Sequence, residues 1–270
     1  MTDRKRDERI SIVLMLLSQR GELQVRFLPK VLGVSGATVR RDLAMMEETG
    51  LIRRSYGKVT AARRGAELPA SVRLSQNTEA KRRIGALTSS LIPNRPLTLV
   101  LSGGTTMDFV AKNLAGRSDL TVVTNGLDTA TSLTARQLVH VVVTGGTARS
   151  LSNDLVGKEA EESLRSYHFD FAIVGADGIS PESGITRHSS RGAEIDRIML
   201  EQAEHKIIVA DSSKLGKTHQ AKVVDVGAVH TIVTDSQANP AIIAALRKTG
   251  VTTTMVVVPP TVHNGRVRFT

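Results

Sequence analysis

The chain has 270 residues, of which 40% are hydrophobic and none is cysteine, and it carries a formal net charge of +10. This length allows two ordinary domains, each with its own core. The lack of cysteine excludes disulfides and thiolate metal sites, and it is typical of a protein from the reducing cytoplasm.

The excess positive charge is concentrated near the start of the chain. Residues 1–64 hold 14 Lys and Arg against 7 Asp and Glu, so they carry +7 of the net +10. This distribution indicates a polyanionic partner, nucleic acid rather than a membrane, although a solvated basic surface would have the same composition. The apolar run at 10–17 is too short to span a bilayer and follows acidic residues, which favours a helix of a cytoplasmic domain over a signal peptide.

Two helices are predicted before residue 34. In the first, at 4–20, apolar residues recur at helical spacing and Gly21 ends the helix. These apolar residues are Ile10, Val13, Leu14 and Leu17. The second helix spans 25–32 and ends at Gly33, but it contains Pro29, which is costly in a helix interior. A late start, with the proline in the first turn, would remove this cost.

A third helix is predicted in the segment VSGATVRRDLAMMEETG. Ser35 is a favourable N-cap, and Gly50 ends the segment. A core-facing stripe of Val39, Leu43 and Met46 leaves the opposite face to solvent. That exposed face consists of Ala37, Thr38, Arg41 and Met45, with Arg40 on its flank. Small residues and arginines near a helix start are typical of a helix that enters the DNA major groove.

After this helix, the segment LIRRSYGKVT predicts two short strands joined at Tyr56-Gly57. Such a basic hairpin suits a DNA backbone or minor groove. Together these elements predict a small α/β winged helix-turn-helix domain over 1–60; the alternative is a helical hairpin with ordinary charged faces. The candidate DNA-binding residues are Ser35, Ala37, Thr38, Arg40, Arg41, Arg53, Arg54 and Lys58.

Residues 61–75 are predicted to be a linker, and 76–270 a larger α/β effector domain. Short β-branched runs alternate there with helical stretches, which predicts a mainly parallel sheet with helices on both faces. The predicted helices are 78–91, 106–114, 127–134, 154–167, 193–204 and 240–249. The strand runs are LTLVL, LTVVT, VHVVVT, FAIVG, KIIVA, TIVT and TTTMVVV.

Five polar turns follow these strand runs: SGGTT at 102–106, TNG at 124–126, TGG at 144–146, GADG at 175–178 and ADSSK at 210–214. Ligands of open α/β sheets bind beyond the carboxyl ends of the strands, so the turns are expected to converge on one crevice for a phosphorylated, hydroxyl-rich molecule. Each turn taken alone could equally be ordinary turn chemistry. The candidate residues from these turns are Gly103, Gly104, Thr105, Thr106, Thr124, Asn125, Gly145, Gly146, Asp177, Gly178 and Lys214.

The chemistry of each candidate suggests its role. Backbone amides at 104–106 suit a phosphate, Asp177 and Glu194 suit sugar hydroxyls, and Lys214 would supply a cation at the rim. The plain alternatives are a turn-shaping aspartate, a solvated glutamate and a surface lysine. The histidines show no ligand spacing, so we predict no metal site and no cofactor.

The segment LGVSGATVRRDLAMMEETGLIRRSYG is followed, in order, by SGGTT, VVTNGLDTA, VTGG, LVGKEAEESL, HFDFAIVGADGI, GIT and ADSSKLGK. This ordered series resembles the DeoR family of bacterial sugar-responsive transcriptional regulators. The resemblance implies a winged helix-turn-helix joined to a domain like ribose-5-phosphate isomerase, which binds a phosphorylated sugar as inducer rather than converting it. It adds Thr186, in GIT, to the effector-binding candidates.

The resemblance also implies a double-stranded operator, a homo-oligomer (dimer or tetramer), repression of carbohydrate metabolism genes and no membrane partner. Two other functions compete with it. The first is an isomerase-like enzyme that moves a proton through Asp177 or Glu194, and the second is a nonspecific chromosome-coating protein. A basic DNA-reading domain has no use in a free-standing isomerase, which favours a sensor over an enzyme.

Overall fold

The contacts of the chain divide it into two units, residues 1–76 and 77–270. The computed structural model describes residues 2–48, 50–62, 67–256, 261–263 and 266–268. Residues 63–66 of the predicted linker and 257–258 of the last predicted strand run lie outside the described residues.

The first unit contains helices and a small antiparallel sheet. In chain order its elements are α1 (Thr2–Arg20), β1 (Glu22–Gln24), a 3-10 turn (Val25–Phe27), α2 (Leu28–Leu32), α3 (Gly36–Glu48), β2 (Ile52–Ser55), β3 (Lys58–Ala61) and α4 (Ala70–Ser75). The strand order is β1-β3-β2, with both pairs antiparallel. The wing hairpin β2-β3 is as predicted. Strand β1 was not predicted, because three residues are too short to give a periodic signal.

The helix boundaries follow the predicted start and stop residues. Pro29 lies in the first turn of α2, where a missing amide donor costs nothing, and the preceding residues form the 3-10 turn instead. Gly33 ends α2 in the left-handed conformation at φ 63°. Ser35 Oγ accepts a hydrogen bond from the amide of Thr38 at 3.2 Å, which caps α3 as expected.

The core of the first unit joins the apolar stripes of α1 and α3. Ile10, Val13, Leu14 and Leu17 are buried against Val39, Leu43 and Met46, as predicted. Met45 departs from the prediction, because it packs partly against this core instead of facing solvent. The predicted linker also differs: Val72 of α4 is buried in the same core, so residues 70–75 form a helix of the first unit.

The second unit alternates strands and helices. In chain order its elements are α5 (Thr78–Ser90), β4 (Leu97–Leu101), α6 (Thr105–Leu114), β5 (Leu120–Thr124), α7 (Leu127–Thr134), β6 (His140–Val143), β7 (Thr147–Arg149), β8 (Asp154–Val156), α8 (Lys158–Arg165), β9 (Phe169–Gly175), β10 (Gly178–Ser180), β11 (Gly184–Arg187), α9 (Ser190–Glu201), β12 (Ala203–Val209), β13 (Ala221–Val224), β14 (Thr231–Asp235), α10 (Pro240–Arg247), β15 (Thr252–Val256), β16 (Thr261–His263) and β17 (Arg266–Arg268). The predicted helix at 154–167 is wrong at its start. Residues 154–156 pair with β7, and Gly157, at φ 103°, delays the helix to Lys158.

The main sheet is parallel, as predicted, with strand order β15-β14-β12-β9-β4-β5-β6. Apolar clusters cover its two faces, one built with α5 and α6 and the other with α8 and α9. From β4 the chain proceeds outward to β5 and β6, and it then returns to β9 on the other side of β4. The strand order therefore reverses between β4 and β9, which is where open parallel sheets form their binding crevices.

A smaller antiparallel sheet, β10-β11-β13, lies beyond the carboxyl end of β9. It begins three residues after β9 ends. Residues that are distant in sequence therefore meet beside the point of strand reversal. As for membrane-spanning elements, a search of the described residues finds no helix with the length and apolar character to cross a bilayer.

An ion pair between Arg9 and Asp42 connects α1 and α3 of the first unit. Asp42 of α3 is buried, and its carboxylate accepts two hydrogen bonds from Arg9 of α1, at 2.7 Å and 3.1 Å. We expect Asp42→Ala to lower the free energy of unfolding by about 2–3 kcal/mol, because it leaves a largely buried guanidinium without this carboxylate. Denaturant unfolding of the full chain measures this loss.

The exposed pair Lys58–Glu22 is the matched control. Its side chains are 50% and 53% exposed, and Lys58→Ala should cost less than about 1 kcal/mol. Equal losses for the two substitutions would show that the Arg9–Asp42 pair does not hold α1 against α3.

Candidate functional site

The outward face of α3 carries cationic side chains that are not used inside the protein. Arg40 and Arg41 are exposed, and neither forms an ion pair with any residue that the structure describes. Ala37 beside them is exposed and small. This face can therefore approach a groove closely while two guanidinium groups bind bases or phosphates.

Two predicted DNA contacts are already engaged with each other. Ser35 Oγ caps the helix and lies 3.0 Å from Thr38 Oγ1. Their first role is to start α3, and a contact with DNA would be additional.

The cations of the wing differ in their availability. Arg54 donates to Glu47 at 2.7 Å, and Lys58 donates to Glu22 at 2.9 Å. Arg53 is exposed and has no acidic partner among the described residues. Of the three predicted wing contacts, only Arg53 can bind a phosphate without first leaving a carboxylate.

In the second unit, hydrogen bonds join the loops that follow β4, β5 and β9. Ser102 Oγ accepts from the amide of Gly175 at 3.0 Å, and Asn125 Oδ1 accepts from the amide of Gly103 at 3.0 Å. Asn125 Nδ2 donates to the carbonyl of Leu155 at 2.9 Å. A Cβ added at Gly103 would lie 2.8 Å from the Cβ of Asp154, so only glycine allows this approach. The predicted turns after these three strands are thus brought together.

Helix α6 begins at this junction. Gly104 adopts φ 135°, and the first helical amide with an acceptor is that of Asp108, bound to the Gly104 carbonyl at 3.0 Å. The amides at 104–106, and the half-buried hydroxyls of Thr105 and Thr106, have no hydrogen-bond partner within the described part of the chain. A helix start with free amides and hydroxyls suits an anion such as a phosphoryl group.

Asp177, Gly178 and Thr186 also meet near the end of β9. Asp177 Oδ2 accepts from the amide of His188 at 3.1 Å. Thr186 Oγ1 donates to the Gly178 carbonyl at 3.2 Å and accepts from the amide of His219 at 3.1 Å. These buried side chains hold the small sheet in place, and Thr124 likewise uses its hydroxyl to accept from the amide of Gly126.

The remaining candidates lie in other surroundings. Glu194 pairs with Arg197 of its own helix and with Arg165 of α8, so its carboxylate is already engaged by cations. Gly145 and Gly146 are both exposed, and a Cβ added at Gly146 would lie 2.8 Å from the carbonyl oxygen of Val156. Lys214 follows β12 in a 3-10 turn and lies close enough to His219 to act on its charge.

A buried charge cluster beneath these loops escaped the sequence analysis. Arg187 lies 2.5 Å from Asp196 and 3.9 Å from Asp177. Asp154 adds a third buried carboxyl and is bound by Arg149 at 3.3 Å. A single charged residue in a helix or strand gives no sequence signal that its side chain is buried. The cluster is therefore visible only in the folded structure.

The charges of this cluster do not balance when every carboxyl is ionised. Three carboxylates then face two guanidinium groups in an environment that solvates charge poorly. Burial raises the pKa of Asp196 to about 7, even though Arg187 lowers it, and the charges of Asp154 and Asp177 raise it further. A proton on Asp196 therefore neutralises the cluster.

We expect this proton to affect stability between about pH 4 and pH 7. Because the pKa of Asp196 is raised on folding, its contribution to stability is complete below the pKa of the unfolded chain and is lost as the pH rises through the folded value. The wild type should lose stability relative to Asp196→Asn, on the order of 1 kcal/mol for each pH unit in this window. Urea unfolding of both proteins at several pH values measures the difference, and parallel pH profiles would contradict this assignment of the proton.

Curated relatives match most of the chain. The HTH-type transcriptional repressor GlcR of Bacillus subtilis (strain 168) is 33% identical over 253 residues, covering 91% of this chain and 94% of the relative. The glycerol-3-phosphate regulon repressor of Escherichia coli (strain K12) is 28% identical over 232 residues, covering 86% of this chain and 92% of the relative. Among solved structures, ribose 5 phosphate isomerase A from Neisseria gonorrhoeae is 15% identical, covering 50% of this chain and 52% of its own. Its TM-score of 0.37 is too low to carry an argument.

Two family models account for both units. The DeoR-like helix-turn-helix domain matches residues 9–64, and the DeoR C terminal sensor domain matches residues 76–236, which is more than half of the chain. Both curated relatives described above are named as repressors. The chain therefore belongs to the DeoR family and is a DNA-binding transcriptional regulator rather than an enzyme.

Proposed function

We propose that the protein is a repressor of carbohydrate metabolism genes, whose affinity for its operator is controlled by a phosphorylated sugar. The sugar binds where the strand order reverses between β4 and β9. The name of one relative, the glycerol-3-phosphate regulon repressor, supports a phosphorylated carbohydrate as the chemical class of the effector.

The start of α6 is the observation that carries this proposal. Its amides at 104–106, which have no partner among the described residues, lie beyond the carboxyl edge of the sheet. Thr105 and Thr106 add two hydroxyl donors. The surrounding loops are held by Ser102 and Asn125, so the anion site is formed before a ligand arrives. Asp177 is the nearby group suited to accept a hydrogen bond from a sugar hydroxyl.

On DNA, α3 lies in the major groove. Arg41 binds a guanine with two hydrogen bonds, while Arg40 and Arg53 bind phosphates. A homo-oligomer presents two such helices to half-sites about 34–36 Å apart, or a multiple of that distance. The effector changes operator affinity only if it binds one arrangement of the paired DNA-binding domains more tightly than the other.

Specific and nonspecific DNA contacts should respond differently to substitution. We expect Arg41→Ala to weaken binding to an operator selected from random duplexes by about 10- to 100-fold, because it removes a base contact worth about 1–3 kcal/mol. Arg53→Ala should weaken selected and random duplexes alike and reduce the slope of log K against log salt by about one. Fluorescence anisotropy at several salt concentrations measures both effects.

Lys248→Ala, an exposed substitution at the end of α10, is the matched control and should change neither quantity. If Arg41→Ala left the preference for the selected duplex intact, the proposed orientation of α3 in the groove would be wrong.

The effector site is tested by a thermal-shift screen of phosphorylated sugars. A ligand at 100 times its Kd should add about 2.7 kcal/mol of stability. In Thr105→Val/Thr106→Val, the stabilisation and the effect of the ligand on operator binding should be lost, while operator binding itself persists. Thr131→Val, on the exposed side of α7, is the control and should behave as the wild type. An unchanged ligand response in the double variant would exclude a phosphate at α6.

A further inference from the structure

The chain passes from the first unit to the second by a short connection. Helix α4 ends at Ser75, and Val72 of this helix is buried in the core of the first unit. Gln76 follows in an extended conformation, and Asn77 is the N-cap of α5. A connection of one residue cannot absorb a movement of its neighbours as a long flexible linker does. A movement of Asn77 is therefore passed to α4.

Asn77 is attached to the second unit by a long-range hydrogen bond. Its Nδ2 donates to Asp211 Oδ1 at 2.9 Å, across 134 positions of the sequence. Asp211 is buried, and the same oxygen accepts from the amide of Ser213 at 3.0 Å. The backbone of Asn77 is left-handed at φ 51°, a conformation that asparagine adopts more readily than most residues. The side chain thus holds the start of α5 to the turn that follows β12.

Helix α5 is packed closely against α6, whose start is the proposed phosphate site. A Cβ added at Gly85 would lie 2.6 Å from the carbonyl carbon of Phe109, so only glycine allows the two helices to approach in this way. Ser89 of α5 also donates to the carbonyl of Val110 of α6, at 3.3 Å. Because the helices are in such close contact, we expect the start of α5 to move when α6 moves.

The turn after β12 is bound to the small sheet. Asp211 is the N-cap of this 3-10 turn, Ser212–Lys214. Just beyond the turn, the amide of Gly216 donates to the carbonyl of Ile179 in β10 at 2.8 Å. Asp177, the group proposed to accept from a sugar hydroxyl, lies immediately before β10. Asp211 is therefore connected to the part of the proposed effector site that lies opposite α6 in the strand order, beyond β9.

We propose that the hydrogen bond between Asn77 and Asp211 couples effector binding to DNA binding. An effector that binds α6 through its phosphoryl group and Asp177 through a hydroxyl joins the same two parts of the second unit as this hydrogen bond. A change in their relative position then moves Asn77, and α4 with it. This inference rests on the proposed function, because it assigns the route by which that effector acts on the operator.

The test compares the two binding reactions of the full-length protein, alone and together. The probes are glycerol 3-phosphate, glucose 6-phosphate and fructose 6-phosphate, each compared with chloride at equal ionic strength. At least one probe should change the affinity of the wild type for a selected operator duplex by roughly 5- to 150-fold, the usual range of allosteric coupling. Fluorescence anisotropy of the duplex measures this factor.

Asn77→Gly removes the side-chain donor and accepts the left-handed backbone without strain. We expect operator affinity without a probe, and probe affinity without DNA, to stay within about threefold of the wild type, while the coupling factor falls below about threefold. Linkage requires the operator to change probe affinity by the same factor, so both measurements should show the same loss. A substitution that only disturbs folding would instead weaken one of the two separate affinities.

Asn153→Gly is the matched control. Asn153 also has a left-handed backbone, at φ 53°, and also donates to a carboxylate, Asp128 Oδ2, at 3.1 Å. It lies far along the chain from the connection between the units, so this variant should keep the coupling factor of the wild type.

Exchanging the two side chains tests the hydrogen bond itself. In Asn77→Asp two carboxylates face each other, and coupling should be lost. In Asn77→Asp/Asp211→Asn the donor and the acceptor have changed places, and coupling should return.

The possible outcomes separate this inference from the proposed function. Coupling that persists in Asn77→Gly, or that does not return in the exchanged variant, would overturn the inference and leave the proposed function intact. Loss of operator binding by Asn77→Gly in the absence of a probe would also overturn it, because the bond would then support DNA binding itself. If none of the probes stabilises the wild type or changes its operator affinity, both proposals fail.

Discussion

The reversal of strand order between β4 and β9 is the constraint on which the proposed effector site depends. After β4 the chain continues to strands on one side, and after β9 it continues to strands on the other side. The crossover connections of the two strands therefore diverge and leave a crevice at the carboxyl ends of these strands. The start of α6 is consequently open, with amides that the helix itself cannot satisfy. The small sheet beyond β9 then supplies polar side chains from the other side.

Much of the polar chemistry at this edge serves to position loops rather than to bind a ligand. Asn125 uses both its carbonyl oxygen and its amide nitrogen to join neighbouring loops, and Thr186 both donates and accepts. Beneath them, Arg187 connects β11 to Asp196 of α9 and to Asp177. Such buried polar networks favour a single arrangement when every member has a partner, because an unpaired buried group is costly. These held loops surround the start of α6, whose amides at 104–106 have no partner within the described part of the chain.

The basic side chains of the DNA-binding unit also fall into two groups, those that form ion pairs within the protein and those that do not. Arg9, Arg54 and Lys58 are bound to carboxylates, whereas Arg40, Arg41 and Arg53 have none among the described residues. The net positive charge attracts the unit to DNA at long range. The latter three arginines, on α3 and β2, can then contact DNA without breaking an ion pair within the protein. To change the affinity of a regulator for its operator, it is enough to change the spacing between two such DNA-binding surfaces.

The sequence by itself determined the elements whose signals are local. Helical spacing of apolar residues specified α1 and α3, glycines specified where α2 ends, and β-branched runs specified the parallel strands. The predicted helix at 154–167 failed because the partner that makes Asp154–Val156 a strand, β7, cannot be inferred from those residues alone. Only the tertiary structure decided which charges are buried, that Glu194 faces Arg165 and Arg197, and that His188 meets His219. Burial and pairing depend on contacts between distant segments, and the periodicity of one segment holds no information about its partner.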